Sequence, residues 1–132
     1  MNIRRLPDYK LKQKILYIDN TDPEVLLNYG NLFLEEGNIS DALDFYEKAK
    51  HHEGMQKIKE TAFDTGDVML FQHAAKALNM ELTEIDWENI GQKAISLKKY
   101  SFAKHALEKA GNHEALNSLK KIMEAEKHGK DT

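Results

Sequence analysis

Apolar residues recur at three- and four-residue steps along most of this chain, and polar or glycine-containing turns interrupt them. Between positions 26 and 49 two such stripes face each other. The first holds Leu26, Tyr29, Gly30, Phe33 and Leu34; the second holds Ile39, Ala42, Leu43, Tyr46 and Ala49. Between them lies Glu36-Gly37-Asn38. Two stripes of helical period on either side of a Gly-Asn turn predict a helical hairpin. Gly30 and Ala42 sit inside their stripes, where a large side chain would hold the two helices apart.

The same alternation organises the rest of the chain. Residues 8–18 read as a short capping helix with Asp8 as its cap and Leu11, Ile15, Leu16 and Ile18 as its buried stripe. A break at residues 19–22 leads to Pro23, suited to a first helical position with Asp22 or Thr21 as cap. The first hairpin unit spans 22–52. A second, 53–82, carries Met55, Ile58, Ala62 and Phe63, then Gly66, a cap at Asp67, and Val68, Phe71, Ala74, Ala75 and Leu78. A third, 83–111, opens on Thr83 with Asp86 three residues on, a capping-box variant. It carries Ile85, Trp87, Ile90, Gly91, Ala94, Ile95 and Leu97, then Lys98-Lys99, then Tyr100, Ala103, Ala106, Leu107 and Ala110. Gly111 ends it. Asn112 caps a final helix, 112–127, with Ala115, Leu116, Leu119, Ile122 and Met123; the segment from Lys127 onward reads as frayed.

The units repeat one another. Ile39-x-x-Ala42-x-x-x-Tyr46 returns as Phe71-x-x-Ala74-x-x-x-Leu78 and as Tyr100-x-x-Ala103-x-x-x-Leu107. Leu26-x-x-Tyr29-Gly30 returns as Trp87-x-x-Ile90-Gly91. In unit two Lys59 takes the glycine place, and this alignment makes its turn about three residues longer. Over residues 22–111 the pattern resembles the tetratricopeptide repeat, with Tyr29-Gly30, Phe33, Gly37, Ala42 and Tyr46 at its signature positions. Units of about 30 residues, rather than about 34, keep the short helical repeats of vesicle-coat scaffolds as a near alternative. The resemblance implies an all-α, right-handed α-α superhelix: a solenoid of three hairpins between an N-terminal and a C-terminal capping helix, forming a single domain over 1–132.

Composition narrows the function classes. The chain has 132 residues, 41% hydrophobic and 31% charged, with no cysteine, which excludes disulfides and thiolate metal sites. No apolar run is long enough for a membrane span, and none follows Arg4 and Arg5 as a signal peptide would require, so a cytoplasmic location is expected. A net charge of −3 argues against a dedicated nucleic-acid binder. The charge is uneven. Residues 1–14 hold Arg4, Arg5, Lys10, Lys12 and Lys14 against Asp8; residues 15–47 hold no Lys or Arg but eight acids; Lys93, Lys98, Lys99, Lys104 and Lys109 form a later basic run. Such runs form solvated helix faces, or ends suited to a charged partner or to weak head-to-tail self-association.

No metal or cofactor site is expected. His51 and His52 are adjacent and diverge on a helix, and no HExxH or similarly spaced histidine pair exists. Placed near helix C-termini, His51, His52 and His105 read as partners of the helix dipole. Glu35-Glu36 and Glu124/Glu126 lie in polar stretches, no serine has an elbow motif and no glycine-rich phosphate loop occurs, so no enzyme is expected. Tyr29 and Trp87 read as core.

In proteins of this resemblance the first helices of successive hairpins line a peptide-binding groove. That implies lining by Glu24, Leu27, Asn31, Leu34 and Glu35 from unit one, Glu53, Gln56, Glu60, Phe63 and Asp64 from unit two, and Glu88, Gln92, Ile95 and Ser96 from unit three. The chaperone-binding branch clamps a terminal carboxylate with lysines and asparagines; only Asn31 matches, so no clamp is expected. The groove so drawn is acidic with apolar islands and suits a basic, amphipathic segment of another protein. The expected function is a non-catalytic protein-interaction module. The alternatives are a self-assembling structural repeat or, with less support, an RNA-associated repeat using Lys93, Lys98, Lys99 and Lys104, which lack interleaved exposed aromatics.

Overall fold

The computed structural model describes residues 6–130, as eight α-helices and one π-helical turn with no strand among them. Arg4, Arg5 and the last two residues lie outside that range. Asp8 caps α1 (Tyr9–Gln13), accepting from the Leu11 N–H at 2.8 Å. The helix then widens into the π-helical segment Lys14–Ile18, where Asp19 N–H donates to the Lys14 carbonyl. The extended turn sets Ile15 and Leu16 inward. Leu11 and Ile18, expected in the buried stripe of one regular helix, are instead 45% and 77% exposed.

Three hairpins follow: α2 (Pro23–Glu35) with α3 (Ile39–Lys48), α4 (His52–Asp64) with α5 (Val68–Ala77), and α6 (Glu84–Ser96) with α7 (Tyr100–Ala110). The caps read from the sequence form. Asp22 accepts from Glu24 N–H, Asp67 from Leu70 N–H, and Thr83 and Asp86 make a complete capping box. Every first helix has 13 residues. The three turns are also equal: residues 36–38, 65–67 and 97–99. Each places its middle residue in the left-handed region, Gly37 at φ 81°, Gly66 at 66° and Lys98 at 59°. In each the third residue donates back to the helix, Asn38 to Phe33, Asp67 to Ala62 and Lys99 to Ala94, which closes orphan carbonyls at the helix end.

Equal turns correct the sequence alignment of unit two. Ile39, Val68 and Tyr100 each open a second helix, so Ala42, Phe71 and Ala103 correspond, and Ala74 stands three residues later with Phe45 and Ala106. Matching alanine to alanine creates the apparent longer turn. In units one and three a small residue on the first helix faces a large one on the second. A Cβ on Gly30 would lie 2.7 Å from the Tyr46 ring, and one on Gly91 would lie 3.0 Å from Leu107. The corresponding pair in unit two is Lys59 and Ala75, with the large residue on the first helix and the small one on the second.

α1 and its π-helical segment, α3, α5 and α7 form one layer; α2, α4 and α6 pack on α3, α5 and α7 as their hairpin partners, and α8 (His113–Lys130) packs on α7. Along the stack the π segment packs on α3, α3 on α5, and α5 on α7, while α4 meets α6. Alanines at 42, 74, 75, 103 and 106, all buried, let these helices approach. The core divides into two clusters, one around Leu16, Leu43, Phe45 and Met55, the other around Trp87, Ile90, Leu107 and Leu119; Leu70 packs against both. Ile85, expected in the buried stripe of α6, is 69% exposed, since it sits on the far side from Trp87 and Ile90. α8 continues through Lys127 to Lys130 where fraying was expected. Its Leu119 is buried, but Ile122 and Met123 are exposed, because α7 covers only its near side.

An ion-pair cluster ties the first helix to the stack. Lys12 Nζ lies 2.5 Å from Asp41 and 3.1 Å from Asp44, and His73 Nε2 lies 3.5 Å from Asp44. Burial pushes the Lys12 pKa down, but the hydrogen bonds and charges of Asp41 and Asp44 outweigh it and leave it above the ordinary 10.5. A cation with a raised folded-state pKa stabilises fully below its unfolded pKa and loses that contribution as pH climbs through the folded one.

Two outcomes are expected. Gly30→Ala gains up to about 1 kcal/mol of helix propensity but overpacks Tyr46 at a cost of about 1–3 kcal/mol, so thermal unfolding should show a net loss. Lys12→Met should be less stable than wild type in chemical denaturation, and the gap should hold across neutral pH and narrow only above about 10.5.

Candidate functional site

The surface implied by the resemblance divides around α4. Asn31 and Leu34 from α2, Ile39 and Tyr46 from α3, and His51, Glu53, Lys57 and Ile58 from the cap and first half of α4 enclose a cleft of about 310 Å³. On the other flank of α4, Gln56, Lys59, Glu60, Phe63 and Asp64 join Phe71 of α5 around a cleft of about 210 Å³. The structure therefore brings Asn31, Leu34 and Glu53 together in one place, and Gln56, Glu60, Phe63 and Asp64 in another. Glu24, Leu27, Glu35, Glu88, Gln92 and Ile95 line neither. Leu27 packs on the first core cluster and Ile95 on the second. Glu88 accepts a 3.2 Å bond from Asn112, the residue that caps α8, and Ser96 donates to the carbonyl of Lys93.

Tyr46 is the hub of the larger cleft. Its ring occupies the space left by Gly30 on α2 and by Gly54 on α4, where an added Cβ would come within 3.0 Å of it. Its hydroxyl donates to Asn31 Oδ1 at 2.6 Å, and the His51 ring lies 5.3 Å from its own. Burial, and then the nearby Glu35 carboxylate, raise the Tyr46 pKa above 10.0, so the phenol stays protonated and keeps this bond through neutral pH. Leu34 and Ile39 supply apolar surface over the buried Ile58; Asn31, Glu53 and Lys57 are exposed at the rim.

Three features escaped the sequence reading. Gly54 was one, the third residue of α4, where the backbone meets the Tyr46 and His51 rings. Lys57 was another, and Lys59, read in the sequence only as the residue in the glycine place of unit two, was the third as a surface group. Lys57 stands beside Glu53, and Lys59 Nζ lies 5.3 Å from the centre of the Phe71 ring, so the surface is mixed in charge rather than acidic throughout.

The histidines are placed differently from the dipole reading. His51 and His52 stand at the start of α4, and His105 lies mid-way along α7, edge-on to Trp87 at 5.8 Å. Among the described residues no three His, Asp or Glu side chains converge as a metal would require, and no helix is long and apolar enough to cross a membrane. The later basic run is dispersed: Lys99 donates to the Thr65 carbonyl, Lys98 lies 4.0 Å from Glu126, and Lys104 borders a separate groove between α7 and α8. Comparison of the chain with protein-family profiles, with curated proteins and with solved structures gives no match.

Tyr46→Phe should cost only about 0.5–1 kcal/mol in denaturant unfolding, the low end for a hydrogen bond, because the freed Asn31 amide is exposed and takes up water instead.

Proposed function

We propose that this chain is a non-catalytic protein-interaction module of the tetratricopeptide type, and that it holds a peptide segment against α2 and α4. The observation that carries the reading is the cleft around Tyr46. It offers apolar surface from Leu34 and Ile39, a hydrogen-bonding amide at Asn31 and a carboxylate at Glu53 within one small volume. A site of that kind accepts one apolar side chain and orients the backbone beside it.

The second cleft continues the surface across α4. Phe63 is its half-buried apolar element, and Glu60 and Asp64 are exposed acids. A helical or extended segment with apolar anchors and basic residues between them complements both. Lys57 and Lys59 narrow the choice, because a uniformly basic peptide meets like charge there.

The test is a panel of amphipathic peptides of graded net charge, measured by fluorescence anisotropy. Basic peptides with spaced leucines should bind wild type. Leu34→Asp and Glu60→Lys should each weaken them by about tenfold or more, with the helical circular-dichroism signal unchanged. Equal affinity for acidic and basic peptides, or no loss in either variant, would reject this reading.

A further inference from the structure

A helix inside the layer of α3, α5 and α7 is covered on both sides. α5 lies between α3 and α7, and its Val68, Phe71, Ala74, Ala75 and Ala77 are all buried. The helix made by α1 and its π segment occupies the same layer one step before α3, and its principal packing is against α3 on one side. Its Ile15 and Leu16 are buried, whereas Tyr9, Tyr17 and Ile18 are 76%, 67% and 77% exposed. At the opposite end, α7 and α8 border an open groove of about 810 Å³ that includes Leu116, Leu119 and Met123. Leu119 is buried and Leu116 half-buried, but Met123 is 40% exposed. Among the described residues nothing occupies the place where the next helix of the α3–α5–α7 layer would pack.

We propose that this groove receives the α1 helix and π-helical segment of a second copy of the chain, so that copies add head to tail. Within one chain α3 packs beside its hairpin partner α2 and on the π segment before it. A helix placed beside α8 and on α7 takes up that same relation. The arriving α1 already has α3 on its inner side, so its outer apolar residues are the ones left to face α8. Each surface supplies what the other lacks: Tyr17 and Ile18 on one, Leu116 and Met123 on the other.

Charge is compatible with this contact but does not drive it. Lys10 and Lys14 are exposed on the arriving helix, and Glu108 and Glu124 border the groove; lysines 104, 120 and 127 border it too. The apolar contact provides the affinity and the charges influence encounter. The two patches differ, so the contact is heterologous and does not close on itself in a pair. One short helix covers less than the roughly 800 Å² per partner of a standard interface, so the association is reversible and concentration-dependent.

Sedimentation velocity of the full chain at rising concentration tests this. Wild type should shift from monomer to larger species, and the shift should survive high salt. Ile18→Glu spoils one patch and Met123→Glu the other, and each should weaken assembly by about tenfold or more. Mixed together, each variant keeps one intact patch, so they should form a two-chain complex and nothing larger. Circular dichroism checks that each is folded, and Tyr17→Gln serves as a milder second variant on the first patch. A wild type that stays monomeric, assembly that neither variant weakens, or a mixture that remains monomeric overturns the proposal. Assembly that dissolves in salt overturns it also, in favour of contact through charged ends. Peptide binding at the Tyr46 cleft lies on a different surface and should be unchanged in all these variants, so the two proposals fail separately.

Discussion

The first and third hairpins each depend on one crossing point, where two helices approach closely enough that only one of them can carry a large side chain. Close-packed interiors leave no slack at such a point. In the first hairpin the large group is Tyr46 and the small one is Gly30; in the third they are Leu107 and Gly91. At the same two positions the second hairpin carries Lys59 and Ala75. All three hairpins keep the same first-helix length and the same turns. That regularity is what places the cleft residues of α2 beside those of α4.

Much of the fold was legible because helix ends are written in local chemistry. Asp22, Asp67 and Thr83 with Asp86 are caps whose partners lie within three residues, and Gly37, Gly66 and Gly111 stop helices through their own backbone freedom. The illegible parts had non-local or ambiguous causes. The register of unit two depended on which alanine faced which helix, and Phe71 stands where the other two units carry Ala42 and Ala103. The π-helical turn at Lys14–Ile18 leaves no mark in an apolar spacing read at the α-helical period, so that spacing puts Leu11 and Ile18 on the wrong side.

The candidate site was legible to a smaller degree. Asn31, Leu34 and Glu53 do share a cleft, and Gln56, Glu60, Phe63 and Asp64 share another. What the sequence hid was the role of α4 as a divider, because stripe positions say which residues face outward but not how far neighbouring helices stand apart. Gly54, Lys57 and Lys59 change the shape and charge of the surface, and each acquires its meaning from a neighbour remote in sequence: Tyr46, the α2–α4 cleft and Phe71.

The two hydrophobic clusters share Leu70 on α5, and the principal contacts among the described residues join helices one or two apart in the chain. Topology of that kind has low contact order: short loops close early, and little chain entropy is lost before packing begins to reward it. Folding is thus able to nucleate in either cluster and spread outward by neighbour-to-neighbour growth, in the manner of a one-dimensional lattice. Unravelling takes the same route backwards, from the two ends toward the helix on which both clusters meet.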